Sequence, residues 1–275
     1  MAHAFYSSPG PLTALSSDQV GLVRELDLSP LDLCRTVQGL LAAPADAFGT
    51  GLSDQQLADR NTRSASTILR RVLEFDPVIR LGETRPPGKR VVGTCRHFAV
   101  LATAFVRATG VAARARCGFA AYFDPPRKVD HWITEVWSDQ DRRWVRIDPE
   151  YLHRHTPSPA RTDDLRDHEF LTAGEAWRRA RSGSDDPDLY GVFGTDHRGL
   201  GEIRANAMRD LASVAAKIEV LPWDEWGPMA ASYEGTSGDD FDRLVDLLAD
   251  ATADPRHPGL DEIYDQLAVP TSMVG

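Results

Sequence analysis

Residues 94–107, TCRHFAVLATAFVR, are apolar around nearly the whole circumference of a helix. Phe98, Ala99, Val100, Leu101, Ala102, Ala104, Phe105 and Val106 leave no continuous polar face, so this helix must be enclosed by other elements. Thr94 is suited to cap its start and Gly110 to close its end. The next three segments, 113–123, 131–137 and 144–148, have strand character, and the last two flank the polar turn 138–143, which predicts a hairpin. Ahead of this unit, Leu31, Leu33, Val37, Leu40 and Leu41, then Ile68, Leu69, Val72, Leu73 and Phe75, recur at helical spacing. Ser29 is a natural N-cap there, with Pro30 at the first helical position. Residues 82–90 read as a loop, and beyond Tyr151 helices are expected at 172–181, 202–217, 239–251 and 260–267. The order predicts an α+β fold: a buried helix packed on an antiparallel sheet, with helical N- and C-terminal flanks. We expect a single domain over 1–275, comprising a helical flank at 1–90, a core at 91–151 and a second helical flank at 152–275.

Charge and cysteine usage narrow the function. With 41 acidic against 31 basic residues the formal charge is −10, which argues against nucleic acid as a partner. The three cysteines, Cys34, Cys95 and Cys117, are odd in number and form no CxxC pair, so a disulfide framework is not expected. The densest apolar run, 98–106, is less than half of a membrane span, and the first 20 residues lack a basic leader. These features predict a cytoplasmic protein with no membrane partner.

Cys95 falls in the first turn of the enclosed helix, where unpaired N–H groups and the helix dipole favour a thiolate. Cys34, in an amphipathic helix, and Cys117, in a strand, read as packing residues. If Trp137 and Trp144 pair across the hairpin, then His131 faces Glu150, and Ile133 faces Asp148. Alternation then puts His131, Ile133, Glu135 and Trp137 on one face with Trp144, Arg146, Asp148 and Glu150. Asp148 becomes a diagonal neighbour of His131, whereas a slip of one residue would send it to the opposite face. A thiol, an imidazole and a carboxylate so placed are the parts of nucleophilic acyl transfer. The Cys95 N–H is one expected oxyanion donor, and the second, with Gln38, Gln55 and Gln56 upstream, has no assignable geometry.

The run GTCRHFAVLATAFVRATGVAARARCGFAAYF, followed by DHWITEVW and RRWVRIDPEY, resembles the core of the transglutaminase-like superfamily. That superfamily includes bacterial cysteine-protease-like members and the peptide:N-glycanases. The resemblance covers residues 91–151 and implies a papain-like core whose catalytic Cys, His and Asp fall on Cys95, His131 and Asp148. Trp132, Glu135, Trp144 and Pro149 also sit where such residues are common in relatives. It departs at Cys95-Arg96-His97-Phe98, where many relatives carry a small or acidic residue and an aromatic. The implied activity is acyl transfer through a thioester, with water or an amine as acceptor and an amide- or acyl-bearing peptide, protein or small molecule as substrate.

An arylamine N-acetyltransferase shares the Cys, His, Asp order, but its Arg-Gly-Gly before the Cys is replaced here by Val92-Gly93-Thr94. A binding or scaffold module of the same fold is the non-enzymatic alternative. No cofactor or metal is expected. His97 lies about 200° round the helix from Cys95, and the isolated His153-x-His155 is weak as a metal site. Asp130 points away from the face of His131, and Trp223 with Trp226 reads as a packing corner. His131, the helix start and Arg96 are the local positive sources expected to support a thiolate.

Overall fold

The structure is a computed structural model that describes residues 3–44, 53–254 and 257–274. Its helices are α1 (Ala4–Ser7), α2 (Ser17–Arg24), α3 (Pro30–Leu40), α4 (Asp54–Ala58), α5 (Ala65–Phe75), α6 (Cys95–Ala108), α7 (Ala173–Arg181), α8 (Leu200–Ala216), α9 (Met229–Tyr233), α10 (Gly238–Ala253) and α11 (Leu260–Gln266). The strands are β1 (Leu41–Ala42), β2 (Val91–Val92), β3 (Ala113–Asp124), β4 (Arg127–Ser138), β5 (Arg143–Ile147), β6 (Phe170–Thr172) and β7 (Tyr190–Gly191). The architecture is α+β: a mixed molecule built on an antiparallel sheet with helical flanks, as the residue pattern predicts.

Local signals account for most boundaries. Ser29 accepts from Asp32 N–H at the start of α3, with Pro30 at the first position. Gly110 takes φ +86° just past α6, and its N–H bonds the Arg107 carbonyl, the left-handed closure that glycine permits without strain. Thr172 caps α7 reciprocally with Glu175.

The main sheet runs β5-β4-β3-β6 with all three pairings antiparallel. The expected hairpin register is present: Trp137 pairs Trp144, Glu135 pairs Arg146 and Thr134 pairs Ile147. Glu135 and Arg146 carry the shared face into an ion pair at 3.2 Å. Two features depart from the purely antiparallel expectation. β7 adds to the outer end of β4 in parallel, and β1 pairs β2 in parallel beside the start of α6. Both are two-residue strands, too short for a periodic signal.

Helix α6 packs on β3 and β4 through Ala99, Ala115, Cys117 and Trp132, and Thr134 Oγ1 donates to the Ala99 carbonyl at 3.1 Å. Its outer side meets α3 and α5 through Leu33, Val37, Ile68 and Val72, which explains its all-round apolar surface. Helix α8 closes the opposite edge of β3 where β6 does not reach. Ser213 Oγ donates to the Ala115 carbonyl at 2.7 Å, and Asp210 Oδ1 accepts from Cys117 N–H at 3.0 Å. Side chains thus replace a missing strand and satisfy a buried sheet edge.

Candidate active site

Three elements converge at the N-terminus of α6. Cys95 opens that helix and is partly exposed, whereas His131 on β4 and Asp148 just beyond β5 are buried. The Cys95 sulfur, a His131 ring nitrogen and a Glu150 carboxylate oxygen lie within 4.8 Å of one another. His131 Nε2 meets Asp148 Oδ2 at 3.0 Å, which leaves Nδ1 as the nitrogen available toward the sulfur.

Asp148 reaches His131 by a route that strand alternation alone does not describe. The β4–β5 ladder ends at Ile147, and Asp148 N–H bonds the Thr162 carbonyl instead. The expected pairs His131–Glu150 and Ile133–Asp148 therefore fall outside the ladder. The chain turns there, and Asp148 Oδ1 accepts from the N–H groups of Glu150 at 2.9 Å and Tyr151 at 3.1 Å. This local turn is the kind that aspartate side chains support. Oδ2 also accepts from the Tyr122 hydroxyl at 2.5 Å, so both oxygens are held. Tyr122 gets there by strand alternation: Gly118 pairs His131, and Ala120 and Tyr122 follow on the same face of β3. The ring of Phe123 lies edge-on to His131 at 4.9 Å, with Tyr122 and Tyr151 at 6.4 Å.

The electrostatics follow from burial set against pairing. Burial acts to raise the Asp148 carboxyl, but the charge and hydrogen bond of His131, with Tyr122 and the Tyr151 N–H, hold it below its ordinary value. Burial acts to lower His131, and Asp148 overrides it, so the imidazole sits well above its ordinary value. Burial pushes the Cys95 thiol up, opposed by the hydrogen bond and charge of His131 and assisted by Glu150 and Asp130. Desolvation, with Glu150 and Asp130, outweighs the pull of His131 on the thiol.

Arg96 interacts with Cys95 through its charge but makes its hydrogen bonds elsewhere. Its buried guanidinium binds the carbonyls of Glu219, through Nε at 2.7 Å, and Thr62 at 3.3 Å. His97 is structural: Thr94 N–H donates to its Nδ1 at 3.1 Å, and burial together with the Arg96 charge pushes it down to about 3. Asp130, on the other face of β4, accepts from Asn206 Nδ2 at 2.8 Å, consistent with its exclusion as the partner of His131. Cys34 and Cys117 are fully buried and burial raises both thiols, Cys34 to about 12. Gln38 Nε2 donates to the carbonyls of Glu150 and Leu152, and Gln56 closes the cap of α4 with Ser53. The side chain of Gln55 lies outside the described residues. His153 Nε2 lies 3.1 Å from an Arg35 nitrogen, and neither it nor His155 joins a three-ligand cluster among the described residues. Trp226 is buried with Nε1 on the Leu267 carbonyl, the expected packing corner, whereas Trp223 is exposed.

Two contributors have no assigned role in the sequence reading. Glu150 was foreseen on the His131 face, and the alternation that placed it was the available signal. Tyr122 lies on the face of β3 that Gly118 shares with His131, and the available signal was the β3–β4 pairing. A cleft of about 540 Å³ is lined by Arg35, Gln38, Arg90, Phe98 and Arg154 among others, and Gln38 also holds the Glu150 carbonyl. Arg154 lies over the Tyr151 ring at 4.7 Å, which links this cleft to the aromatic surround of His131.

Residues 82–149 match the family model described as the transglutaminase-like superfamily, a span that contains Cys95, His131 and Asp148. This part of the chain is similar to a transglutaminase-like core, as its sequence resemblance implied, and the match supports a cysteine-dependent enzyme family. No curated protein matches the chain. Among solved structures it is similar to one described as "a Putative Cysteine Protease from Cytophaga hutchinsonii", at 19% identity and a TM-score of 0.34. The similarity covers 54% of this chain and 41% of that one, so the chain spans under half of the solved protein's length. Among the described residues no helix is long and apolar enough to cross a membrane.

Proposed function

We propose that the protein is a cysteine-dependent acyl-transfer enzyme in which Cys95 is the nucleophile, His131 the acid–base and Asp148 the group that orients and charges His131. The observation that carries this is the relay itself: Asp148 on one nitrogen of His131 at 3.0 Å, with the Cys95 sulfur near the imidazole. The imidazole of His131 takes the thiol proton, giving a thiolate–imidazolium pair. The thiolate attacks an amide carbonyl, a C–S bond forms and His131 gives its proton to the departing nitrogen as the C–N bond breaks. The now neutral imidazole takes a proton from water or an amine, which attacks the thioester and expels the thiolate. Water gives amide hydrolysis; an amine gives transamidation.

Trapping the covalent adduct from cell extract and weighing it by mass spectrometry tests the assignment and identifies the donor. Cys95→Ala is expected to abolish the adduct and turnover, together with the fast component of iodoacetamide labelling. Turnover that survives this substitution would leave the fold as a binding module and end the reading.

A further inference from the structure

The atoms assembled around Cys95 match a second chemistry. Thiolate sulfur, imidazole nitrogen and carboxylate oxygen form a donor set used by zinc sites, and Cys95, His131 and Glu150 present one of each within 4.8 Å. It is the one cluster of three such side chains found among the described residues. In a tetrahedral site with bonds of about 2.0–2.3 Å, donor atoms stand about 3.5 Å apart, so side-chain closure on the order of 1 Å completes it.

The support behind the ligands points the same way. Metal-binding histidines commonly give their second nitrogen to a carboxylate, which fixes the tautomer and strengthens the donor. Asp148 does this at 3.0 Å on Nε2, leaving Nδ1 for the ion, and is itself fixed by Tyr122 and two backbone N–H groups. Glu150 is tied to the same turn, since its own N–H bonds Asp148. Cys95 is partly exposed, which gives an entry path.

We propose that Cys95, His131 and Glu150 bind a borderline divalent cation of the Zn²⁺ type, and that the bound ion silences Cys95. The Zn–S bond forms as the thiol proton leaves to water. His131 binds through a deprotonated Nδ1, any proton there leaving to water, Glu150 supplies an oxygen, and water completes the fourth position. No electron is transferred. Calcium and magnesium prefer all-oxygen donors and do not suit this set. Binding itself stands on the ligand geometry; its inhibitory consequence rests on the reading of Cys95 as nucleophile, because metal and acyl group compete for the same sulfur.

The test uses the full, tag-free chain after chelator treatment, titrated with Zn²⁺ alone by calorimetry and with Co²⁺ by absorption. One ion per chain is expected, with a thiolate-to-Co²⁺ charge-transfer band. Saturating Zn²⁺ should slow iodoacetamide labelling of Cys95 about tenfold or more, reversed by chelator. Glu150→Gln should weaken Zn²⁺ binding by at least about tenfold, and Asp148→Asn by about 10–100-fold. Absence of the band in the unmodified chain, or Zn²⁺ binding that leaves labelling of Cys95 unchanged, would overturn the proposal without recourse to any variant. A chain that forms the thioester yet binds no Zn²⁺ overturns the metal inference alone. One that binds Zn²⁺ through these residues yet forms no thioester supports the metal site and sinks the acyl-transfer reading.

Discussion

His131 and His97 stand on neighbouring elements and are driven in opposite directions by one variable, the partner that accompanies burial. His131 has a carboxylate behind it; His97 has an arginine beside it and a backbone N–H pointing at its nitrogen. His131 lowers the Cys95 thiol through its charge and hydrogen bond, so His131→Ala should shift the pH profile of Cys95 alkylation upward. At any fixed pH below the new value the labelling rate falls; an unmoved profile would mean the ring does not act on the sulfur. His97 gives a stability effect of determinate sign. Its folded value of about 3 lies below an unfolded value of about 6.5, so between these the unfolded chain binds the extra proton. Stability from this group is present above pH about 6.5 and is lost, by up to about 1.4 kcal/mol per pH unit, as pH falls toward about 3. His131 has the reverse sign: its contribution is full below pH about 6.5 and is lost as pH rises through its raised folded value. Urea unfolding of His97→Gln across this range should show a shallower acid limb, whatever the variant does to absolute stability. At this scale the sequence revealed the order Cys95, His131, Asp148, because helix starts and strand alternation are local. It did not reveal the thiol's true environment, which depends on Asp130, Glu150 and the depth of burial.

Between elements, what was legible is what repeats within one segment. The Trp137–Trp144 register follows from alternation and is present; β6 and β7, three and two residues long, carry no period to read. Side-chain pairing of the β3 edge by Ser213 and Asp210 joins residues nearly a hundred positions apart and leaves no local signature. Gly118 marks where this assembly is tightest. It pairs with His131 on one side and Thr172 on the other, and an added Cβ would stand 2.1 Å from the Leu171 carbonyl oxygen and 2.8 Å from Thr172 Cα. Both obstacles are backbone, so relief requires β6 to move away from β3. Gly118→Ala should destabilise by about 1–3 kcal/mol, the usual range for overpacking, and should slow Cys95 labelling through its neighbour His131. Denaturant unfolding measures the first, and an unchanged midpoint would show that β6 yields freely.

Across the whole molecule the net charge of −10 masks a local reversal that no composition could disclose. Arg35, from α3, Arg90, from the loop before β2, and Arg154, beyond β5, are far apart in sequence yet line the same cleft. That cleft reaches the site through Gln38, which holds the Glu150 carbonyl, and through Tyr151 beneath Arg154. Near the sulfur stands Glu150, which acts to raise the thiol. We propose that this arginine-lined cleft favours an acyl donor whose remote end is negative. The comparison of two small alkylating reagents isolates this effect from any knowledge of the substrate. Iodoacetate carries a charge and iodoacetamide does not, so their rate ratio at Cys95 reports the potential of the approach rather than the reactivity of the thiol. Arg35→Ala and Arg90→Ala should each lower the iodoacetate-to-iodoacetamide ratio, by roughly two- to fivefold for a partly exposed charge worth up to about 1 kcal/mol. Raising ionic strength to about 1 M, where the screening length falls to about 3 Å, should lower the ratio in the unmodified chain and remove most of the difference between chains. A ratio indifferent to both arginines and to salt would mean that the cleft does not lie on the path to Cys95, and the preference for anionic donors would fall with it.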